Sequence, residues 1–287
     1  MTEQTDGRAG EHAGEPLVRR SYADGITALT LDSPHNRNAL SRRLVRELYE
    51  GLASAAEDGA TRAVVLTHTG TTFCAGADLS EAASDRSGVG SEPSAAGPEG
   101  LARLLRTVVE LPKPVIARVT GHVRAGGLGL LGACDIAVAG PGSSFAFTEA
   151  RLGLAPAVIS MPLLPRLDAR AAARYYLTGE RFDAAEAARI GLVTIAVNGS
   201  DGLDGSGGSG SSDGSVDDAL EPVLDGLRRG SPQGLAAAKR LVTAEVLRVF
   251  DRDTEALAKE SARLFGSPEA REGMTAFLER RDPAWAS

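Results

Sequence analysis

Apolar and polar residues alternate along ITALTLDSP (26–34), and the alternation stops at Pro34, the pattern of a strand entering a turn. ALSRRLVRELYEGLASAAED (39–58) carries its apolar residues at helical spacing, with Ser41 placed to cap the first turn. RAVVLTHTG (62–70), PVIARVTG (114–121) and CDIAVAG (134–140) read as further strands, with helical GGLGLLGA between the last two. Strands alternating with helices predict an α/β core with crossover connections. From Ala169 onward the period is mostly helical: ARAAARYYLTG, DAAEAARIGLV, DDALEPVLDGLRRG, PQGLAAAKRLVTAEVL and EGMTAFLERR. A β-rich front half leads into an α-rich tail.

Two segments fit neither period. Residues 80–100 are small, polar and rich in Gly, Ser and Pro; following a strand end, they are expected to form a mobile loop of the kind that covers a substrate. Residues 198–215 have the composition of a flexible linker but join two neighbouring elements, so a decorative surface loop is expected there. The expected organisation is a disordered tail over 1–16, a core over 17–196, a Gly/Ser-rich loop over 197–217 and a helical region over 218–287.

At 287 residues and 43% hydrophobic, the chain can bury a full core. No run approaches the roughly eighteen apolar residues of a membrane-spanning helix. Residues 1–16 lack the apolar centre of a signal peptide and the basic, acid-poor bias of a transit peptide. The two cysteines, Cys74 and Cys134, lack metal-ligand spacing and read as small buried hydrophobes in a reducing, cytoplasmic compartment. His35, His68 and His122 are too scattered to argue for a metal, and His12 lies in the tail. A net charge of -7 disfavours nonspecific nucleic-acid binding.

The densest signal is GHVRAGGLGLLGACDIAVAG (121–140), six glycines in twenty positions. Gly126 and Gly127 stand at a helix start, where an unencumbered backbone N–H and the helix dipole suit a developing oxyanion. TTFCAGADLS (71–80) supplies a second small-residue turn, so two amides from separate loops can grip one carbonyl oxygen. Spacing alone leaves open the other reading of these glycines, tight turns and close helix packing.

LDSPHNRNALS, FCAGADLS, KPVIARVTGHVRAGGLGLLGACDIAVAG, FAFTEARLGLAP, YYLTGERFDAAEAARIGLV and EGMTAFLERRDP occur together, and in this order the chain resembles the crotonase superfamily of enoyl-CoA hydratases and isomerases over nearly all of residues 17–287. The resemblance implies an α/β fold with a crotonase-like ββα spiral core, and a C-terminal helical region that assembles a homotrimer or a dimer of trimers. It also implies an acyl-CoA thioester as ligand, with coenzyme A entering as part of the substrate and no separate cofactor. Its two oxyanion amides fall on Ala77 and Gly126. The substrate contacts fall on Arg37, Asn38, Ala39, Ala75, Gly76, Asp78, Leu79 and Gly127. Phe277 and Trp285 fall on a segment meeting a neighbouring subunit or its CoA, and Arg280 stands where the family often has a phosphate-binding lysine. Asp78 and Asp135 also read as caps or braces of the backbone.

Typical hydratases of the family carry two glutamates. The first position is Gly129 here; the second is kept as Glu149, which alone in FAFTEAR would read as a surface charge or a partner of Arg151. One glutamate fits a Δ3,Δ2-enoyl-CoA isomerase, which shuttles a proton between C2 and C4. The glycine, together with GLAPAVIS (153–160), is closer to bacterial 3-methylglutaconyl-CoA and isohexenylglutaconyl-CoA hydratases, so hydration with Glu149 as acid/base is the favoured reading. Arg124 is the candidate cation for a second substrate carboxylate, with a solvated turn or a CoA phosphate contact as its alternatives. Family relatives that bind RNA or serve as silent scaffolds leave a non-enzymatic reading open.

Overall fold

Three apolar strands of the core are each followed within a few residues by a short one belonging to a different sheet. β1 (Val18–Ala23) and β2 (Ile26–Leu31) form a hairpin, helix α1 (Arg42–Glu57) follows, and then β3 (Ala63–His68) leads to β4 (Thr72–Cys74). After α2 (Pro98–Glu110), β5 (Val115–Val119) leads to β6 (His122–Arg124), which runs straight into α3 (Gly126–Ala133). β7 (Ile136–Ala139) leads to β8 (Ser144–Ala146) and a 3₁₀ turn, Glu149–Leu152. With β9 (Phe182–Asp183) and β10 (Ile195–Ala196), the sheets have the orders β1-β2-β3-β5-β7-β10 and β4-β6-β8-β9. β1/β2 and β8/β9 pair antiparallel and the remaining pairs are parallel. Strand, strand and helix thus repeat as a spiral. The computed structural model describes residues 14–78, 81, 97–197 and 212–286. The expected tail before residue 14, Leu79, most of the 80–100 loop and residues 198–211 lie outside the described residues.

The switch between sheets depends on a few tight turns. A Cβ on Gly121 would sit 2.3 Å from Thr71 O, so only glycine lets β6 start beside the entry of β4, where His122 N donates to that same carbonyl at 2.9 Å. α1 is capped by Ser41, whose Oγ accepts from Leu44 N at 3.3 Å, and it buries Leu44, Leu48 and Leu52 at four-residue spacing. α3 is buried on every side, which suits its apolar and glycine-rich sequence. Both cysteines are buried in the core, and burial pushes each thiol up to about 12.

The tail consists of α4 (Ser160–Leu163), α5 (Ala169–Thr178), α6 (Ala184–Arg189), α7 (Ser212–Arg229), α8 (Pro232–Phe265) and α9 (Pro268–Glu279). Two expected loops are shorter than the composition implied. α2 begins at Pro98, with Pro at its start and Glu99 in its first turn. α7 begins at Ser212 because Val216, Leu220 and Leu224 pack over Ile26, Val65, Ile116 and Val138 on the outer face of the larger sheet. β1 carried no readable alternation, since only Val18 of its six residues is buried. No helix among the described residues is long and apolar enough to cross a membrane.

A buried ion pair ties the tail to the spiral. Lys239 of α8 is 5% exposed, and its Nζ lies 2.8 Å from Asp135 and donates to Val108 O at 2.9 Å and Lys113 O at 3.0 Å. Asp135 also accepts from Val115 N at 2.7 Å, so one carboxylate braces the start of β5 and meets the cation of α8. Breaking such a pair on one side leaves an uncompensated buried charge. Lys239→Met is expected to lose about 3 kcal/mol of stability, read as a lowered urea midpoint, and adding Asp135→Asn should recover part of the loss.

Candidate active site

The site begins where two backbones meet. Gly76 follows β4 at φ +92°, a conformation that L side chains rarely adopt. A Cβ on it would lie 2.9 Å from both Ala125 Cβ and Gly126 N. From the other side, a Cβ on Gly126 would lie 3.4 Å from Gly76 Cα and 3.6 Å from Ala77 N. The amides of Ala77 and Gly126 are therefore neighbours, and neither donates a hydrogen bond to another described group. Gly126 is the first residue of α3, so its N–H belongs to the open first turn at the positive end of the helix dipole. Ala125 just before it takes φ +46°, a strained conformation for alanine.

The remaining glycines of α3 do a different job. A Cβ on Gly127 would meet Cys74 O at 2.5 Å, and one on Gly132 would meet Leu163 Cδ2 at 2.5 Å. Gly127, expected among the substrate contacts, is thus packed against the end of β4. At Gly129 a Cβ would lie 2.5 Å from Ile159 Cγ2 and 3.0 Å from Leu105 Cδ1. Where the family's first glutamate would stand, an apolar side chain already fills the space.

The 75–77 segment is held from its outer side. Leu40 N donates to Gly76 O at 2.8 Å and Ala75 N to Arg37 O at 3.2 Å. Asn38, wholly buried at a positive φ of 54°, accepts from Ser33 N at 2.7 Å and donates to Thr69 O at 3.1 Å and Thr72 O at 2.7 Å. Those bonds fill its amide group, so its side chain pins the 33–40 loop to the turn between β3 and β4. Ala39 is buried beside it, while Arg37 is exposed. Asp78 accepts from Asn36 Nδ2 at 3.3 Å and from Glu81 N at 3.4 Å, so it braces this loop.

Glu149 opens the 3₁₀ turn that follows β8, the parallel neighbour of β6, and Ala125 N donates to Ala146 O at 3.3 Å. The two amides and the carboxylate therefore leave the smaller sheet at the same end, one after each of three adjacent parallel strands, β4, β6 and β8. Glu149 is 8% exposed, its Oε2 has no hydrogen-bond partner, and desolvation raises its pKa to about 7. Arg151 is engaged elsewhere, with its Nε donating to Thr178 O at 3.0 Å. The turn is buttressed by α9: Cβ atoms on Gly153 and Gly273 would lie 2.7 Å from Glu269 C and 2.5 Å from Leu152 O.

Other expected contacts are not gathered here. Arg124 Nη1 donates to Val123 O at 2.9 Å and Ser144 O at 2.6 Å, and its Nη2 to Ser144 Oγ at 2.7 Å. Since Ser144 pairs with His122, the guanidinium folds back toward the start of β6, away from Gly126. Burial and the charge of Arg181 lower its pKa to about 10. In this structure Arg124 clamps β6 to β8 through Ser144. Phe277 and Arg280 lie exposed at the far end of α9 from its contact with the 3₁₀ turn. Sequence reasoning missed Tyr176, which it treated only as part of a helix; its ring packs tilted against Phe147 with centroids 4.5 Å apart, and its buried Oη has no partner.

The sequence profile of the family described as Enoyl-CoA hydratase/isomerase matches residues 21–205. A crystal structure of an enoyl-CoA hydratase from Mycobacterium avium is 54% identical and superposes with a TM-score of 0.79, covering 94% of this chain and 98% of its own. The carnitinyl-CoA dehydratase of Citrobacter koseri is 33% identical over 267 residues, 91% of this chain and 94% of its own length. The mevalonyl-coenzyme A hydratase of Aspergillus fumigatus is 30% identical over 264 residues, 91% of each. The chain therefore belongs to the enoyl-CoA hydratase/isomerase family and is an enzyme of that kind with the crotonase fold.

Proposed function

We propose that this enzyme adds water across the 2,3 double bond of an enoyl-CoA thioester, with Glu149 as its single acid/base. One observation carries the reading: a buried carboxyl whose Oε2 lacks a partner stands at the sheet end where two unengaged amides lie side by side. The amides of Ala77 and Gly126 receive the thioester oxygen. As the oxygen of water bonds to C3, its proton passes to Glu149, and the π electrons move into an enolate held by those amides. Glu149 then returns the proton to C2. A pKa near 7 suits both halves of this cycle.

Arg37 is the proposed partner of a phosphate of CoA; its exposure, and the bond from Ala75 N to its carbonyl at 3.2 Å, support that reading. Exposed Leu177, Leu241 and Val242, with Phe277 and Trp285, suit burial in a trimer or a dimer of trimers. A branched, 3-methylglutaconyl-like acyl group is the finer proposal; with Arg124 held by Ser144, its second carboxylate would meet another cation. The apolar wall at Gly129 favours one alternative, Δ3,Δ2-enoyl-CoA isomerisation, because a single carboxylate suffices for a proton shuttle.

Purified enzyme incubated with crotonyl-CoA, 3-methylglutaconyl-CoA and a 3-enoyl-CoA separates these readings by product mass, since hydration adds one water and isomerisation adds nothing. Glu149→Gln is expected to lower kcat by about 10²–10⁴-fold. In the unsubstituted enzyme, kcat/KM should rise with pH on a limb near 7. Unchanged turnover in this variant would remove Glu149 from the role.

The same residue ties stability to pH. Its folded pKa, about 7, lies above the ordinary 4.5, so the unfolded chain releases the proton first. The stability this group contributes is complete below the ordinary value and is lost as pH rises to the folded one, by about 3 kcal/mol. Glu149→Gln should escape that loss, so its melting temperature should gain on the parent between pH 5 and pH 8; a gap that stays constant would contradict the buried carboxyl.

A further inference from the structure

A single carboxylate leaves a hydration site short of one anchor. Water attacking C3 must be fixed in direction as well as deprotonated, since catalysis depends on holding the reacting atoms in an attack geometry. In this enzyme Ile159 and Leu105 close the space where a second acid would stand. Among the described residues, a polar group with a buried, unpartnered atom near Glu149 is the phenol of Tyr176.

Tyr176 lies on α5, with its ring tilted 43° against Phe147, two residues before Glu149. Its Oη is buried and unpartnered, as is Glu149 Oε2, and no hydrogen bond joins the two. Leaving a buried hydroxyl unsatisfied is unfavourable. The remaining unpartnered buried side-chain atoms among the described residues belong to Ser33, Asn36, Thr67, Asp135 and Arg166, on other elements. Burial and the charge of Glu149 raise the Tyr176 pKa, so the phenol remains a proton donor throughout the working range and is in electrostatic reach of the carboxylate. Tyr175 makes a useful contrast, because its hydroxyl is satisfied by Glu186 at 2.7 Å.

We propose that Tyr176 is the second anchor of the attacking water: its hydroxyl donates to the water oxygen while one hydrogen of that water faces Glu149 Oε2. The inference rests on the hydration reading above. One lone pair of the water accepts from Tyr176, and the other forms the bond to C3. The breaking O–H bond gives its proton to Glu149, the π electrons move to the enolate oxygen, and Tyr176 keeps its own proton throughout. Its role is positioning, and the hydrogen bond it gives the water also favours the ionised form of Glu149.

The test compares Tyr176→Phe, Tyr175→Phe and Glu149→Gln in one hydration assay, each first shown by circular dichroism and melting to be folded. Tyr176→Phe removes one oxygen atom that has no protein partner, so the fold should persist. It is expected to lower kcat about tenfold with KM within twofold, and to move the acid limb of kcat/KM to higher pH. Tyr175→Phe should match the parent. A Tyr176→Phe enzyme with kcat within twofold and an unmoved limb, beside an inactive Glu149→Gln, overturns the water anchor and leaves the base reading standing. A fully active Glu149→Gln overturns that base reading instead.

Discussion

Two main chains come within van der Waals contact at Gly76 and Gly126, and the site depends on that approach. A methyl group at position 76 would fall 2.9 Å from the Gly126 nitrogen, so a side chain there would push the two turns apart and separate the amides. The spiral makes the approach possible: β4 and β6 are parallel neighbours in the smaller sheet, so the turns that follow them emerge side by side. Glycine supplies the left-handed conformation at 76 and the missing Cβ, and the strain absorbed at Ala125 aims the start of α3. Because these amides are main-chain groups held by sheet pairing, the Leu40–Gly76 bond and the Asn38 brace, their positions are fixed by the fold itself, the property that the proposed oxyanion role requires.

The environment of Glu149 follows from the same economy of groups. A carboxyl buried without a cation keeps a pKa far above a solvated one, and here the nearest arginine in sequence, Arg151, is held by Thr178 O. The backbone of the turn is fixed by α9, which approaches so closely at Gly153 and Gly273 that neither position accepts a Cβ. Lys239 and Asp135 in turn fasten α8 to the spiral, and α9 follows from the end of α8. The tail helices thus bear on the chemistry mechanically, through the turn that carries the acid.

Much of this was legible in the sequence, for identifiable reasons. β2, β3, β5 and β7 are long, apolar and flanked by turn residues, and α1 shows both a cap and a period, so each carried its own signal. β4, β6 and β8 have three residues each, too few to display a period, and the second sheet they build was therefore invisible. β1 is an edge strand with one buried residue. The bracing bonds of Asn38 and Arg124 were not legible, because a polar residue bonded to backbone looks, in sequence, the same as one facing a ligand; the bonds appear only with the positions of Thr69, Thr72 and Ser144. Tyr176 escaped notice for the converse reason, since an aromatic residue inside an apolar helical stretch gives no sign that its hydroxyl lacks a partner.

The glycines show why two readings of one motif could both be sound. Close packing and oxyanion geometry each demand a missing Cβ, so composition does not distinguish them, and the fold assigns them position by position: packing at 127 and 132, amide approach at 76 and 126. Gly129 belongs to neither class by origin, because the family's pattern places a carboxylate there. Its space is occupied by Ile159, whose methyl would lie 2.5 Å from any Cβ, so the loss of the acid and the gain of the apolar wall form one structural unit. Restoring a glutamate alone would overpack α3 against the segment carrying Ile159, and the restored charge would be desolvated beside Leu105. The exclusion of a side chain at position 129 is therefore built into the packing around α3, and any second polar group of the site must come from a residue outside that helix.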